Sequence, residues 1–120
     1  MTLVSTKKAS RYFQAKLNFT TGPVELNDMI NHSENINIID VREPEDYLKR
    51  HIPGATSLPK ASWSTLRGLT KNRVNVVYCY SEACHLAASA AKLFADHDFP
   101  VMELEGGFED WTRHSLPVET

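Results

Sequence analysis

The sequence predicts a single α/β domain in which helices cover a central parallel sheet. Segments typical of strands alternate with segments typical of helices along the 120 residues, and this alternation is characteristic of parallel sheets, whose strands are joined by helical crossovers. The strongest strand signals are the apolar runs at residues 36–41 (INIIDV) and 74–78 (VNVVY). A chain of about this length can bury a hydrophobic core without disulfides.

Glycine and proline positions divide the first half of the chain into elements. Pro23 and Pro44 fit the first turn of a helix, where a missing N–H costs nothing. Gly22 ends the segment before Pro23, and a turn at Pro53 and Gly54 delivers the chain to a short strand. The sequence therefore predicts a helix over residues 10–17, a weak strand over 18–21, a helix over 23–30, a strand over 36–41, a helix over 43–50 and a strand over 55–58.

An alanine-rich helix dominates the second half. It opens near Cys84, and Leu86, Ala90, Leu93 and Phe94 recur on one face at helical spacing. The surrounding alanines let the helix approach the sheet closely. The other elements predicted here are a helical segment over residues 63–69, a strand over 74–78, a strand over 100–104 and a closing helix over 108–114.

Composition and charge describe an ordinary globular protein. The chain has 13 Lys and Arg against 15 Asp and Glu, which is a net charge of −2. This charge does not favour nucleic acid or an anionic membrane as a partner. No long apolar run follows the N-terminal stretch and none approaches the length of a bilayer span, so we expect a cytoplasmic protein. The 2 cysteines argue against a secreted disulfide scaffold and leave redox or nucleophilic chemistry open.

Cys79 is the first candidate for chemistry. It follows the strand predicted at residues 74–78 and precedes a polar loop that leads into the alanine-rich helix. Such a loop directs backbone N–H groups inward and forms an anion-binding nest, reinforced by the helix dipole. Lowering the pKa of Cys79 from about 8.5 to roughly 6.5 would raise its thiolate fraction at pH 7 from about 3% to about 75%. We therefore expect Cys79 to be a nucleophile.

Four segments in order resemble the signature segments of single-domain rhodaneses, a family of sulfurtransferases. They are residues 38–47 (IIDVREPEDY), 51–55 (HIPGA), 77–79 (VYC) and 104–111 (LEGGFEDW). Four ordered segments make the match specific, whereas one alone would be weak. The resemblance implies a rhodanese-like central parallel sheet with helices on both faces. The domain is expected over residues 18–120, after an N-terminal helical extension over residues 1–17.

The resemblance also implies a mechanism. Cys79 would attack the outer sulfur of a donor, carry that sulfur as a persulfide and yield it to a thiophilic acceptor in a ping-pong cycle. The partner would be a small sulfur donor or a protein persulfide or thiol, and no metal or organic cofactor is needed. Loop amides would stabilise the negative terminal sulfur. The implied substrate-binding residues are Tyr80, Ser81, Glu82, Ala83, Cys84 and His85.

The loop departs from the family pattern at its charged positions. Rhodanese loops usually have a basic residue directly after the cysteine and end in Arg, whereas Tyr80 and Cys84 hold these positions here and Glu82 adds a negative charge. These changes weaken binding of a dianion by an amount on the order of a few kcal/mol, so thiosulfate is not the expected physiological donor. The related phosphatase branch has one more loop residue and a final Arg. This chain has His85 there, so phosphate-ester hydrolysis is not expected.

Cys84 leaves two interpretations open. It could attack a Cys79 persulfide or sulfenate and close a disulfide, which would make the loop a redox switch. The alternative function is then a non-catalytic rhodanese-like module that binds a protein partner or senses redox state through Cys79 and Cys84. Cys84 could instead be a small buried side chain at the helix start, because the sequence does not show whether the two residues lie within bridging distance. A zinc site from Cys79, Cys84 and His85 lacks a fourth ligand. Asp40 and Arg42 are expected to brace the fold near the site as a hydrogen-bonded or ionic pair.

Overall fold

Five parallel strands form one sheet in the computed structural model, which describes residues 5–120. They lie in the order β1-β5-β4-β2-β3, and each neighbouring pair is parallel. This arrangement confirms the α/β class with a central parallel sheet. The strands are β1 (Thr20–Thr21), β2 (Ile36–Asp40), β3 (Thr56–Ser57), β4 (Val74–Tyr78) and β5 (Val101–Leu104).

Helices connect the strands. The α-helices are α1 (Thr6–Phe19), α2 (Pro23–Asn31), α3 (Pro44–Lys49), α4 (Leu86–Asp96) and α5 (Gly107–Arg113), and a 3-10 helix spans Lys60–Thr65. Pro23 and Pro44 open their helices as expected, and Ser5 caps α1 by accepting a hydrogen bond from the amide of Lys8. Within the described residues, no helix combines the length and apolar character that a membrane crossing requires.

Alternate residues of a strand point to opposite sides of the sheet, and both sides are packed against buried side chains of other elements. On one face, Ile38 and Val76 pack with side chains of α2 and α5. On the other face, Ile39 and Val77 pack with α4 and the 3-10 helix. The residues of α4 that are buried in this second core are Ala87, Ala90 and Phe94, with Leu86 and Leu93 at its edge. Helices therefore cover both faces, and Cys79 belongs to the second core.

The first predicted strand is partly wrong because α1 is longer than expected. The Ser5 cap starts the helix at Thr6, and Asn18 and Phe19, predicted to be extended, form its last residues. The helix ends where the amide of Thr20 bonds back to the helix and the chain becomes extended, which leaves a strand of two residues. Residues 1–4 of the predicted extension lie outside the described residues, and the division of the chain at residue 17 stays a prediction.

The helical segment predicted over residues 63–69 is wrong in its position. A 3-10 helix begins three residues earlier and ends at Thr65, because Leu66 adopts a left-handed conformation with φ 55°. The indole of Trp63 donates to the carbonyl oxygen of Leu58 at 3.0 Å, which ties this turn to the end of β3. This contact, between residues five positions apart, holds the helix against the strand that precedes it.

Candidate active site

Cys79 follows β4 directly, at the carboxyl edge of the sheet. This edge is where open parallel α/β sheets place their ligand sites. The chain then turns through residues 80–85, where the amide of Cys84 donates to the carbonyl oxygen of Ser81 at 3.1 Å, and enters α4. The strand, loop and helix expected around Cys79 are therefore present.

The turn brings Cys79 and Cys84 into contact. Their Sγ atoms lie 2.7 Å apart, and both side chains are free thiols. A disulfide bond is about 2.05 Å long, so the sulfurs would have to approach by less than about 1 Å to become bonded. Cys79 is 1% exposed, whereas Cys84 is partly exposed. The sequence leaves open whether the two cysteines lie within bridging distance, and in the structure they do.

The two thiols differ in their tendency to ionise. Burial, and then the hydrogen bond with Cys84, raises the pKa of Cys79. Burial acts upward on Cys84 as well, but the hydrogen bond from Cys79 and the backbone amides of Leu86 and Tyr80 outweigh it and lower the pKa of Cys84. The prediction of a lowered pKa for Cys79 is therefore wrong in this state. The amides of Tyr80 and of Leu86, the first residue of α4, favour ionisation of Cys84, so Cys79 is the favoured donor in their contact.

Helix α5 supports the loop from behind. The amides of Phe108 and Glu109 donate to the carbonyl oxygens of Cys79 and Tyr80 at 2.9 and 2.8 Å. Gly107 has a φ of +60° and touches the same stretch of backbone. Gly107 lies in one of the family segments, in a predicted turn, and its close approach to the loop is not predicted, although a Gly-Gly pair before a helix is a signal of close backbone approach.

Asp40 and Arg42 form the buried pair that the sequence predicts. Nη2 of Arg42 lies 2.8 Å from Oδ2 of Asp40, and both residues are almost fully buried. The hydroxyl of Tyr78 donates to the same carboxylate at 2.6 Å, and the guanidinium lies 4.1 Å from the centre of the Phe108 ring. Tyr78 and Phe108 belong to the first core and Cys79 to the second. The pair is thus placed to brace the strand ends behind the thiol.

A cavity of about 450 Å³ opens over Cys79. Of the predicted site residues, Ser81 and Glu82 line it together with Cys79. The predicted loop residues that lie outside its lining are Tyr80, Ala83, Cys84 and His85. The cavity therefore presents the Cys79 side of the thiol pair to a ligand.

The other loop residues shape the loop. The Tyr80 hydroxyl donates to the carboxylate of Asp46 and accepts from the amide of Glu43 at 3.0 Å, which turns the ring toward α3. His85 and Ala83 are exposed, and His85 directly precedes α4. Within residues 5–120, no group of three or more His, Cys, Asp or Glu side chains is placed to hold a metal ion.

Much of the cavity wall comes from residues that the sequence analysis does not assign to the site. Helix α1 supplies Tyr12, Ala15, Lys16 and Phe19, and β5 with the turn after it supplies Glu103, Leu104, Glu105, Gly106 and Gly107. The helix is placed here because β1, which follows it at once, pairs with β5. Exposed aromatic residues on a helix that buries none of its side chains are the signal that could have identified this wall.

Known proteins resemble both the sequence and the fold. A family model described as a rhodanese-like domain matches residues 22–114. The thiosulfate sulfurtransferase GlpE of Pseudomonas fluorescens is 36% identical over 84 residues, which cover 69% of this chain and 75% of that protein. A crystal structure of the BH2092 protein from Bacillus halodurans superimposes with a TM-score of 0.87 at 36% identity, covering 96% of this chain and 86% of the other.

A further relative belongs to a longer protein. The HTH-type transcriptional regulator Rv0324 of Mycobacterium tuberculosis is 35% identical over 85 residues, or 70% of this chain. The chain spans 38% of the length of that regulator. The matched region is thus found both in short proteins and as one part of a larger one.

Proposed function

Because this chain belongs to the rhodanese-like family, we propose that it is a sulfurtransferase that carries sulfane sulfur as a Cys79 persulfide and yields it to a thiophilic acceptor. The relative GlpE, named a thiosulfate sulfurtransferase, supports sulfur transfer as the general activity. The observation that carries the proposal is the position of Cys79, which lies after the central strand β4, in contact with a second thiol and on the wall of a cavity. The donor is a small sulfur compound or a protein persulfide, and the acceptor is a thiol.

The thiol pair supplies the proton transfer that the reaction needs. The raised pKa of Cys79 and the lowered pKa of Cys84 favour a site in which Cys84 ionises first, and the contact of 2.7 Å lets the proton of Cys79 pass to Cys84. Cys84 then acts as a general base in the place where the family usually has an Arg. The resulting Cys79 thiolate attacks the outer sulfur of the donor, the carrier of that sulfur leaves, and Cys79 retains the sulfur as a persulfide.

The surrounding backbone favours the negative persulfide. The Tyr80 amide acts to lower the pKa of both cysteines, although burial outweighs it at Cys79, and the amide of Leu86 acts in the same direction on Cys84. An added sulfur on Cys79 would extend toward the cavity that this residue lines, and its charge would be less desolvated there than on the buried thiol. Acceptor attack on that outer sulfur returns the site to its starting state.

The test is loading of sulfur in single-cysteine variants. The reduced protein is incubated with mercaptoethanol persulfide and measured by intact mass, where one added sulfur is about 32 Da. Wild type and Cys84→Ser are expected to gain that mass, with the variant slower because its general base is missing, and Cys79→Ser is expected to gain none. Sulfur transfer by Cys79→Ser at the wild-type rate would show that the assignment of the nucleophile is wrong.

A redox-sensing module is the second candidate, and the same sulfur contact of 2.7 Å favours it. Peroxide oxidises one thiol to a sulfenic acid with release of water, and the other thiol displaces a second water to form the Cys79–Cys84 disulfide. Closure removes the nucleophile, so sulfur transfer stops until a dithiol reduces the bond. Peptide mapping under non-reducing conditions is expected to find the bridged peptide. Over-oxidised Cys79 beside an unmodified Cys84 thiol would exclude the switch.

A further inference from the structure

The charge of the cavity over Cys79 is opposite to what an anionic sulfur donor needs. Among the described residues, the charged side chains of its lining are Glu82, Glu103 and Glu105 against Lys16. Nζ of Lys16 lies 3.7 Å from Oε1 of Glu105, so the positive charge is already matched. The net negative lining disfavours a dianion such as thiosulfate.

Glu103 lies on the same side of the sheet as the thiol. It is the register partner of Val77, and Cys79 follows Val77 by two residues, so all three side chains share one face. Its carboxylate is half-buried, and its pKa is raised by burial and by Glu105, against a smaller opposite effect of His85. No salt bridge among the described residues engages it. A cation in the cavity would therefore stabilise an incompletely solvated charge.

Helix α1 adds exposed aromatic surface to this negatively charged cavity. Tyr12 and Phe19 are 61% and 57% exposed, and both line the cavity. The carbon chain of an organic donor can bury apolar surface against these rings, whereas a small inorganic ion has no such surface.

We propose that the cavity selects an organic persulfide whose carrier bears an ammonium group, a donor of the aminothiol class. The ammonium group lies toward Glu103, the carbon chain against Tyr12 and Phe19, and the outer sulfur at Cys79. This inference rests on the proposed sulfur transfer through Cys79 and names the donor for it.

The transfer step is balanced without an added oxidant. The Cys79 thiolate attacks the outer sulfur of R–S–SH, a new S–S bond forms, and the S–S bond of the donor breaks. The carrier leaves as R–S⁻, and Cys79 keeps the sulfur with its proton as Cys79–S–SH. The ammonium group of the carrier partly neutralises the departing thiolate within the negative cavity.

The test compares donors that differ in charge. Persulfides of cysteamine, mercaptoethanol and mercaptopropionate are made from the corresponding disulfide and sulfide, and their initial rates of loading pre-reduced protein at Cys79 are followed by intact mass. Cysteamine persulfide is expected to load Cys79 at least about fivefold faster than mercaptopropionate persulfide at low ionic strength, with a smaller ratio at high salt. An equal rate, or faster loading by the anion, would overturn the inference.

Variants remove the intrinsic reactivity of the donors from the comparison. Glu103→Gln deletes the charge at nearly constant size and is expected to reduce the cation-to-anion rate ratio about threefold. The matched control is Glu45→Gln, an exposed glutamate of α3 outside the cavity lining, which should leave the ratio unchanged. If the cation-to-anion rate ratio is unchanged in Glu103→Gln, the inference about the donor is overturned while the proposed sulfur transfer through Cys79 stands. Failure of all three donors to modify Cys79 would overturn the proposed function and this inference with it.

Discussion

Gly107 lies so close to Cys79 that a side chain has no room between them. A Cβ at Gly107 would lie 2.8 Å from the carbonyl oxygen of Cys79, and 2.8 Å from backbone atoms of Tyr80 and Ser81. The φ of +60° at Gly107 is in the left-handed region, which glycine adopts without steric cost. The residue that holds the loop from behind is therefore restricted twice, by space and by conformation.

Replacing Gly107 by alanine should destabilise the protein and disturb the loop. We expect a loss of more than about 2 kcal/mol in the free energy of unfolding, since backbone atoms cannot move aside as a flexible side chain can. Gly54→Ala is the matched control, because Gly54 also has a positive φ, +83°, but nothing lies within 4 Å of its Cβ position. That variant should lose about 1 kcal/mol. Equal losses in urea unfolding of the two variants would contradict the role given to Gly107.

Alkylation should reveal which cysteine ionises first. The lowered pKa of Cys84 populates its thiolate at lower pH than for an ordinary cysteine, while the raised pKa of Cys79 keeps that thiol protonated to higher pH. Iodoacetamide at neutral pH is therefore expected to modify Cys84 before Cys79 in the reduced protein. Timed quenching and peptide mapping measure the order, and Cys84→Ser should lose the fast phase. Faster modification of Cys79 would reverse the assignment of donor and acceptor in the pair.

Restoring a cation at the end of the loop should improve the use of thiosulfate. Cys84→Arg places a positive charge where most rhodanese loops have one, and we expect the KM for thiosulfate in transfer to cyanide to fall about fivefold at low salt. Cys84→Gln is the control that removes the thiol without adding charge. If thiosulfate saturates both variants at the same concentration, the electrostatic explanation for a poor thiosulfate donor is incorrect.

The ion pair between Asp40 and Arg42 should be needed for stability. Asp40→Asn leaves the guanidinium buried without a counter-charge, which we expect to cost about 3–5 kcal/mol in urea unfolding. The contrasting variant is Asp96→Asn, which breaks an exposed pair with Lys92 and should cost less than about 0.5 kcal/mol. A small loss for Asp40→Asn would mean that other groups at the strand ends compensate for the missing charge.

The central strands could be predicted from the sequence, and with them the position of Cys79. β2 and β4 are buried on both faces, so their residues are mostly apolar, and both strands end within one residue of the predicted positions. The Asp40–Arg42 pair was also predictable, because charged residues at the end of a buried strand require partners. The short distance between Cys79 and Cys84 depends on the turn of the loop, which no periodicity encodes.

Other features depend on contacts between distant segments. The raised pKa of Cys79 results from burial and from its contact with Cys84, whereas the sequence indicates only the loop amides that act in the opposite direction. Leu66 ends the 3-10 helix in a left-handed conformation that its residue type does not favour. Glu103 becomes part of the cavity only because α1 and β5 are brought side by side through β1. Local patterns cannot report such tertiary effects.

The match to the family model begins at residue 22, after α1 has ended, yet Tyr12, Lys16 and Phe19 form part of the cavity wall. Substitutions in α1 can therefore alter which molecules reach the thiol without touching the strand that carries it, the loop around it or the helix that supports it. A change of donor can therefore begin in α1, a stretch of chain separate from the one that carries the chemistry.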